Sequence, residues 1–228
     1  MLPQTGPSLM KTVIAISIFS ATAAMSFAQT STPLPADINA TTLTRLPPVQ
    51  RQDLDADGQK IFDSLAGPNN QGPLRGILGL GIYDPKLAEA LHLLHDSVTK
   101  YGTLGNRVDE LAILVATREE QMSLNEWYGH EAAALKAGLD QSIIDVVKFG
   151  KEPTGLDAKD ALVIRFGREW FRNRHVTSET FAKTVEAFGQ RGTVELIGVM
   201  GDYAMVAMML QAVDQQLPGR PVLPALKK

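Results

Sequence analysis

The chain has 228 residues, 22 basic and 25 acidic side chains, a formal net charge of −3 and no cysteine. This length fits one domain, or two small ones, with a sizeable core, and the aliphatic-rich, aromatic-poor composition favours helices. The near-neutral charge gives no electrostatic case for nucleic acid or an anionic membrane. The missing thiols exclude disulfides, thiolate zinc sites, iron–sulfur clusters, thiol peroxidase chemistry and a lipoprotein anchor.

Residues 12–24, TVIAISIFSATAA, form an apolar run behind Lys11, and Ser26 and Ala28 supply the small residues of a cleavage site. Residues 1–28 therefore read as a secretory signal peptide, whose apolar run is too short for a comfortable membrane span. This predicts an exported protein, periplasmic or secreted, with no membrane attachment after cleavage. Met10, directly before Lys11, is a more ordinary start for such a signal than Met1. Residues 29–50 are rich in Thr, Pro and Ala without helical period and read as an extended lead-in. Residues 51–217 carry the helical domain. Residues 218–228, PGRPVLPALKK, should form a tail without helix because of their three prolines.

Within the domain, residues 57–65 read as a short first helix. Asp84-Pro85 supplies an N-cap followed by proline at the first helical position. Leu87, Leu91, Leu94 and Val98 then line one helical face, and Gly102 stops it. Asn106 opens the next helix, with Asp109 and Glu110 early in it where the dipole favours acids, and Val108, Leu111, Ala112 and Val115 as its apolar face. A further helix runs from Leu124 to Ala137 and closes at Gly138. Asp140 caps a short one with Ile143, Ile144 and Val147, ended by Gly150. Asp157 caps another, in which Leu162, Phe166 and Trp170 are four apart. Thr177 or Ser178 starts a helix stopped by Gly189, and Thr193 caps the last, which runs to about Gln216. No segment alternates as a strand between hairpin turns. The expected class is all-α, a compact bundle of seven to eight helices.

Glu126 and His130 are four apart on one helix and so share a face. A carboxylate one turn from an imidazole orients the ring and raises its pKa, preparing it for proton transfer. The competing reading is a plain surface ion pair. His92 and His95, three apart, have the spacing of two metal ligands, but no HExxH motif or carboxylate cluster accompanies them, and no metal is expected. His175 reads as part of a solvated turn. Arg165, Arg168, Arg172 and Arg174 read as the wet side of a helix rather than a carboxylate site. The glycine-rich GILGLG at 76–81 has no strand before it and no G-K-[ST] after it, which removes nucleotide binding. No G-x-S-x-G nucleophile elbow is present.

Two adjacent pieces, RVDELAILVATRE at 107–119 and EWYGHEAAALKAGL at 126–139, resemble the carboxymuconolactone decarboxylase family, part of the alkylhydroperoxidase D-like superfamily. VTSETF at 176–181 and VELIGVMGDY at 194–203 extend the resemblance, which runs from about Gly72 to Pro218. It implies an alkylhydroperoxidase D-like helical fold, assembly into dimers, trimers or hexamers, and a pocket lined by the Glu-Trp-x-x-His helix. By the motif positions, it implies catalytic roles for His130, Glu126 and Glu110, with Trp127 and Tyr203 walling the pocket. Arg107 and Arg118, near that helix in sequence, are candidates to hold a substrate carboxylate.

The superfamily's peroxidase branch places a Cys-x-x-Cys pair before the His. Here that stretch has no sulfur nucleophile, which places the chain in the non-cysteine branch. The chain departs from the family in three further respects. The spacing between Glu110 and His130 is one residue longer, Asp202 stands where a tyrosine is commoner, and a signal peptide is present. The resemblance implies a cofactor-free lyase for a small carboxylated lactone or related unsaturated acid, working by general acid–base chemistry. The alternative is a non-catalytic exported ligand-binding or scaffold protein on the same fold.

Overall fold

A computed structural model describes residues 34–68, 72–120 and 124–226. The signal-peptide reading of 1–28 lies outside these residues. Among them are eight α-helices and no strand: α1 (Ala56–Ala66), α2 (Gly76–Gly81), α3 (Pro85–His95), α4 (Asn106–Glu119), α5 (Leu124–Lys136), α6 (Gln141–Lys148), α7 (Ala158–Asn173) and α8 (Ser178–Ala212). A 3₁₀ turn spans Arg51–Asp53, and a π-helical turn, Asp96–Lys100, continues α3.

Local chemistry explains several helix starts. The Asp84 carboxylate accepts from the backbone N–H of Lys86 and Leu87, with Pro85 at the first position. Asp157 accepts from the N–H of Lys159, and Thr177 from that of Thr180. Asp140 precedes α6 in extended backbone, but its side chain makes no capping bond.

Helix α4 is the hub. It packs against α5, α6, α7 and α8, and every residue from Asp109 to Arg118 is buried. Its middle, Leu111 to Ala116, is an unbroken apolar run, as expected of a helix segment enclosed by neighbours. Close approach of α7 requires Gly167: a Cβ there would lie 2.4 Å from Val115 Cγ1 on α4 and 3.1 Å from Met200 Cε on α8. A second, smaller cluster joins Ile61 and Phe62 of α1 to Leu74, Ile82 and Ala88.

The structure corrects several expectations. Residues 76–81, considered above only as a phosphate loop, form α2; packing against α3 and α8 overrides the poor helix propensity of their three glycines. Of the α3 stripe, Leu91 and Val98 are buried while Leu87 and Leu94 are exposed. Gly189 ends the first arm of α8 as expected: at φ 70° and ψ 174° it is non-helical and splits Ser178–Ala212 into two helical arms. Thr193 is one turn inside the second arm, its hydroxyl donating to the Gly189 carbonyl. Arg168 is buried rather than solvated: it donates to Glu119 and to the carbonyls of Val146 and Lys151, while Arg172 grips the same Glu119.

Both non-helical ends are pinned. The Arg45 N–H donates to the Val213 carbonyl and the Gln216 N–H to that of Leu43, which docks the lead-in on the end of α8. In the tail, Leu223 packs on the main core, and the carbonyls of Pro221 and Pro224 accept from Tyr128 and Arg118.

Candidate functional site

Four helices bring polar side chains around one tyrosine. Helix α4 supplies Glu110, α5 supplies Glu126 and His130, the end of α3 supplies His95, and α8 supplies Asp202 and Tyr203. The Tyr203 ring meets His130 edge-on at 4.8 Å between centroids and lies 5.9 Å from His95. Helical period explains the placement on α8: Leu196, Val199, Tyr203 and Leu210 share its buried face.

His130 is held between two carboxylates. Its Nδ1 is 2.8 Å from Glu110 Oε2, a strong hydrogen bond, and its Nε2 is 3.7 Å from Glu126 Oε2, an ion pair with room between. The side chain is 20 % exposed. Burial works against its charged form, yet the bonds and charges of Glu110 and Glu126 outweigh burial and raise the pKa to about 9. At neutral pH the ring is an imidazolium with both N–H groups facing carboxylates. Burial, followed by the charges of Glu126, Asp202, Glu110 and Asp109, pushes the Tyr203 phenol upward, so it remains neutral.

Asp109, beside Glu110 in sequence, has no hydrogen-bond partner for its buried Oδ1 among the described residues. Burial first, then the charges of Glu110 and Glu195, raises its pKa to about 7. For both Asp109 and His130, the folded chain holds the proton more tightly than the unfolded chain. Their contribution to stability is therefore greatest at low pH and falls as pH rises, across 3.8 to about 7 for Asp109 and 6.5 to about 9 for His130. Asp109→Asn is expected to remove the first slope and stabilise the chain at pH above about 7 by roughly 1–3 kcal/mol. Thermal melts of wild type and variant at acid and alkaline pH check this; parallel pH profiles would refute it.

Other sequence candidates for substrate binding are engaged in contacts of their own. Arg107 makes a paired bond to Asp160, Nη1 to Oδ1 at 2.7 Å and Nη2 to Oδ2 at 2.8 Å. Arg118 is buried and donates to the Lys148 carbonyl at 2.7 Å and to that of Pro224. Trp127 is fully enclosed, its indole N–H donating to Glu131. These three residues hold helices and tail together. His92 faces Asp96 at 4.0 Å while His95 turns to Asp202, so the two do not form a metal pair. His95 is the site member that sequence reasoning missed. Its partner lies 107 positions away, and the only local signal was the unusual Asp202.

No protein-family model matches the sequence, and no curated protein matches it significantly. Among solved structures, an uncharacterized peroxidase-related protein from Silicibacter sp. TM1040 is similar, with a TM-score of 0.62 and 16 % identity, over 80 % of this chain and 94 % of that one. The helix order, the packing around α4 and this likeness together give the chain an all-α, alkylhydroperoxidase D-like fold.

Proposed function

We propose that the chain is a cofactor-free acid–base lyase for a small carboxylated lactone or related unsaturated acid, as carboxymuconolactone decarboxylase is. The observation that carries this reading is the charged His130 between Glu110 and Glu126, beside the neutral Tyr203. Without cysteine, the thiol chemistry of the superfamily's peroxidase branch has no nucleophile here.

In the proposed reaction, the bond from the substrate carbon to its carboxylate breaks and CO₂ leaves. The electron pair delocalises into the conjugated carbonyl as a dienolate, which the imidazolium stabilises. The His130 proton then passes to carbon, and water restores it to the ring. Glu110 orients the ring and favours its charged form; Glu126, the looser partner, faces the nitrogen from which the proton leaves. Isomerisation of a similar lactone uses the same groups. The test is a panel of carboxylated lactones followed by CO₂ release and ultraviolet absorbance, with the His130 variant as control. Absence of turnover together with tight lactone binding would favour the non-catalytic reading.

We also propose that the chain acts outside the cytoplasm as a homo-oligomer. Export is supported by the apolar run at 12–24, and amino-terminal sequencing of the mature protein tests it. Assembly is supported by Val194, Ile197, Gly201 and Met208, which lie exposed along one face of the second arm of α8. Beside them is an apolar groove of about 370 Å³ lined by Phe166, Trp170, Phe181, Ile197 and Met200. Replacing Ile197 and Met208 together with Asp is expected to give a folded monomer by analytical ultracentrifugation; a monomeric wild type would refute the assembly.

A further inference from the structure

We propose that His95, oriented by Asp202, is the hydrogen-bond donor that receives the substrate in this site, and that the group it receives is a carboxylate. This rests on the reading of Glu110, His130 and Glu126 as the reacting centre. Asp202 is a buried carboxylate, its side chain 2 % exposed, and it meets His95 Nδ1 at 3.2 Å. A buried charge requires a partner, and the imidazole supplies it. The bond to Asp202 raises the His95 pKa against burial, with further help from Asp96 and some opposition from the charge of His130. The orientation that commits Nδ1 to Asp202 leaves Nε2 without a protein acceptor among the described residues, on a side chain 42 % exposed.

The other cationic candidates are engaged. Both nitrogens of His130 face carboxylates, Arg107 is bound to Asp160, and Arg118 is bound to two backbone carbonyls. His95 and His130 flank the same Tyr203 ring, so a small substrate can reach both. Glu110 and Glu126 repel an anionic end from the His130 side, while a charge-assisted N–H on His95 attracts it. The acid group is thereby drawn to His95 and the reacting carbon turns toward His130. A second ionised acid function at the His130 side is disfavoured unless it is the carboxylate that leaves.

The probe is paraconate, a saturated γ-lactone carboxylate with no conjugated carbonyl to accept the electron pair of decarboxylation. Proton NMR of the imidazole rings in the full chain follows it up to its solubility limit. The expected result is a paraconate-dependent shift of the His95 signals, and affinity weakened about tenfold or more in His95→Gln. Asp202→Asn should lower the His95 titration midpoint and weaken paraconate binding. It tests positioning apart from folding, because Asp96 and His92 on the His95 segment, Tyr203 on α8 and His130 on α5 all remain. Melting temperatures of both variants accompany the titrations, and His95→Asn serves as the second variant if His95→Gln does not fold.

No shift of His95, a shift at His130 alone, or equal affinity in the folded His95 variant would overturn the proposal. Paraconate binding through His95 without turnover on the lactone panel would remove the lyase reading and leave the carboxylate site standing. Turnover with unchanged KM in the His95 variant would do the reverse.

Discussion

His130→Gln is expected to lower turnover on the substrate of this site by on the order of 10²–10⁴, with the fold retained. Glutamine keeps a polar side chain between Glu110 and Glu126 but carries no transferable proton and no positive charge. The pH dependence identifies the group. In the proposed reaction the imidazolium is the active form, so activity is expected to persist below about 9 and to be lost as pH rises through that value. Glu110→Gln removes the carboxylate hydrogen-bonded at 2.8 Å, so the His130 pKa falls and the alkaline limb moves to lower pH. Rate against pH for the three proteins, with melting temperatures alongside, checks this. Unchanged turnover in His130→Gln, or an unmoved limb in Glu110→Gln, would exclude His130 as the proton donor.

Arg107→Met is expected to act on stability rather than on substrate affinity. The substitution leaves the Asp160 carboxylate, 3 % exposed, without its paired guanidinium. Orphaning a buried ion costs about 3–5 kcal/mol. The Arg107 side chain is itself partly in solvent, which places the cost toward the lower end. For a chain of this size that corresponds to a fall of roughly 10 °C in Tm. Asp160→Asn in the Arg107→Met background should recover part of the loss, since the uncompensated charge is then gone. Calorimetry of the single and double variants, with KM for any lactone turned over, separates the roles. An unchanged Tm with a raised KM would return Arg107 to substrate binding.

The helices were legible where local chemistry decides them. Asp84-Pro85, Asp157 and Thr177 cap helices because a short side chain in extended backbone satisfies free N–H groups nearby in sequence. α2 was not legible, because its glycines argue against helix and only tertiary contact with α3 and α8 stabilises it. The period marks Leu87, Leu91, Leu94 and Val98 as one apolar face without saying what covers it, and Leu87 and Leu94 are exposed.

In the candidate site, the sequence by itself determined the Glu126–His130 pair, since four residues on a helix is a local distance. It also determined the absence of sulfur chemistry, because a missing residue type cannot be supplied by folding. Only the tertiary structure decided that Glu110 makes the tight bond to His130, that His95 and Asp202 pair beside Tyr203, and that Arg107 and Arg118 are committed elsewhere. Those contacts join residues from 20 to 107 positions apart. Their energies depend on burial and on distances of a few ångströms between helices, which residue spacing along the chain does not encode.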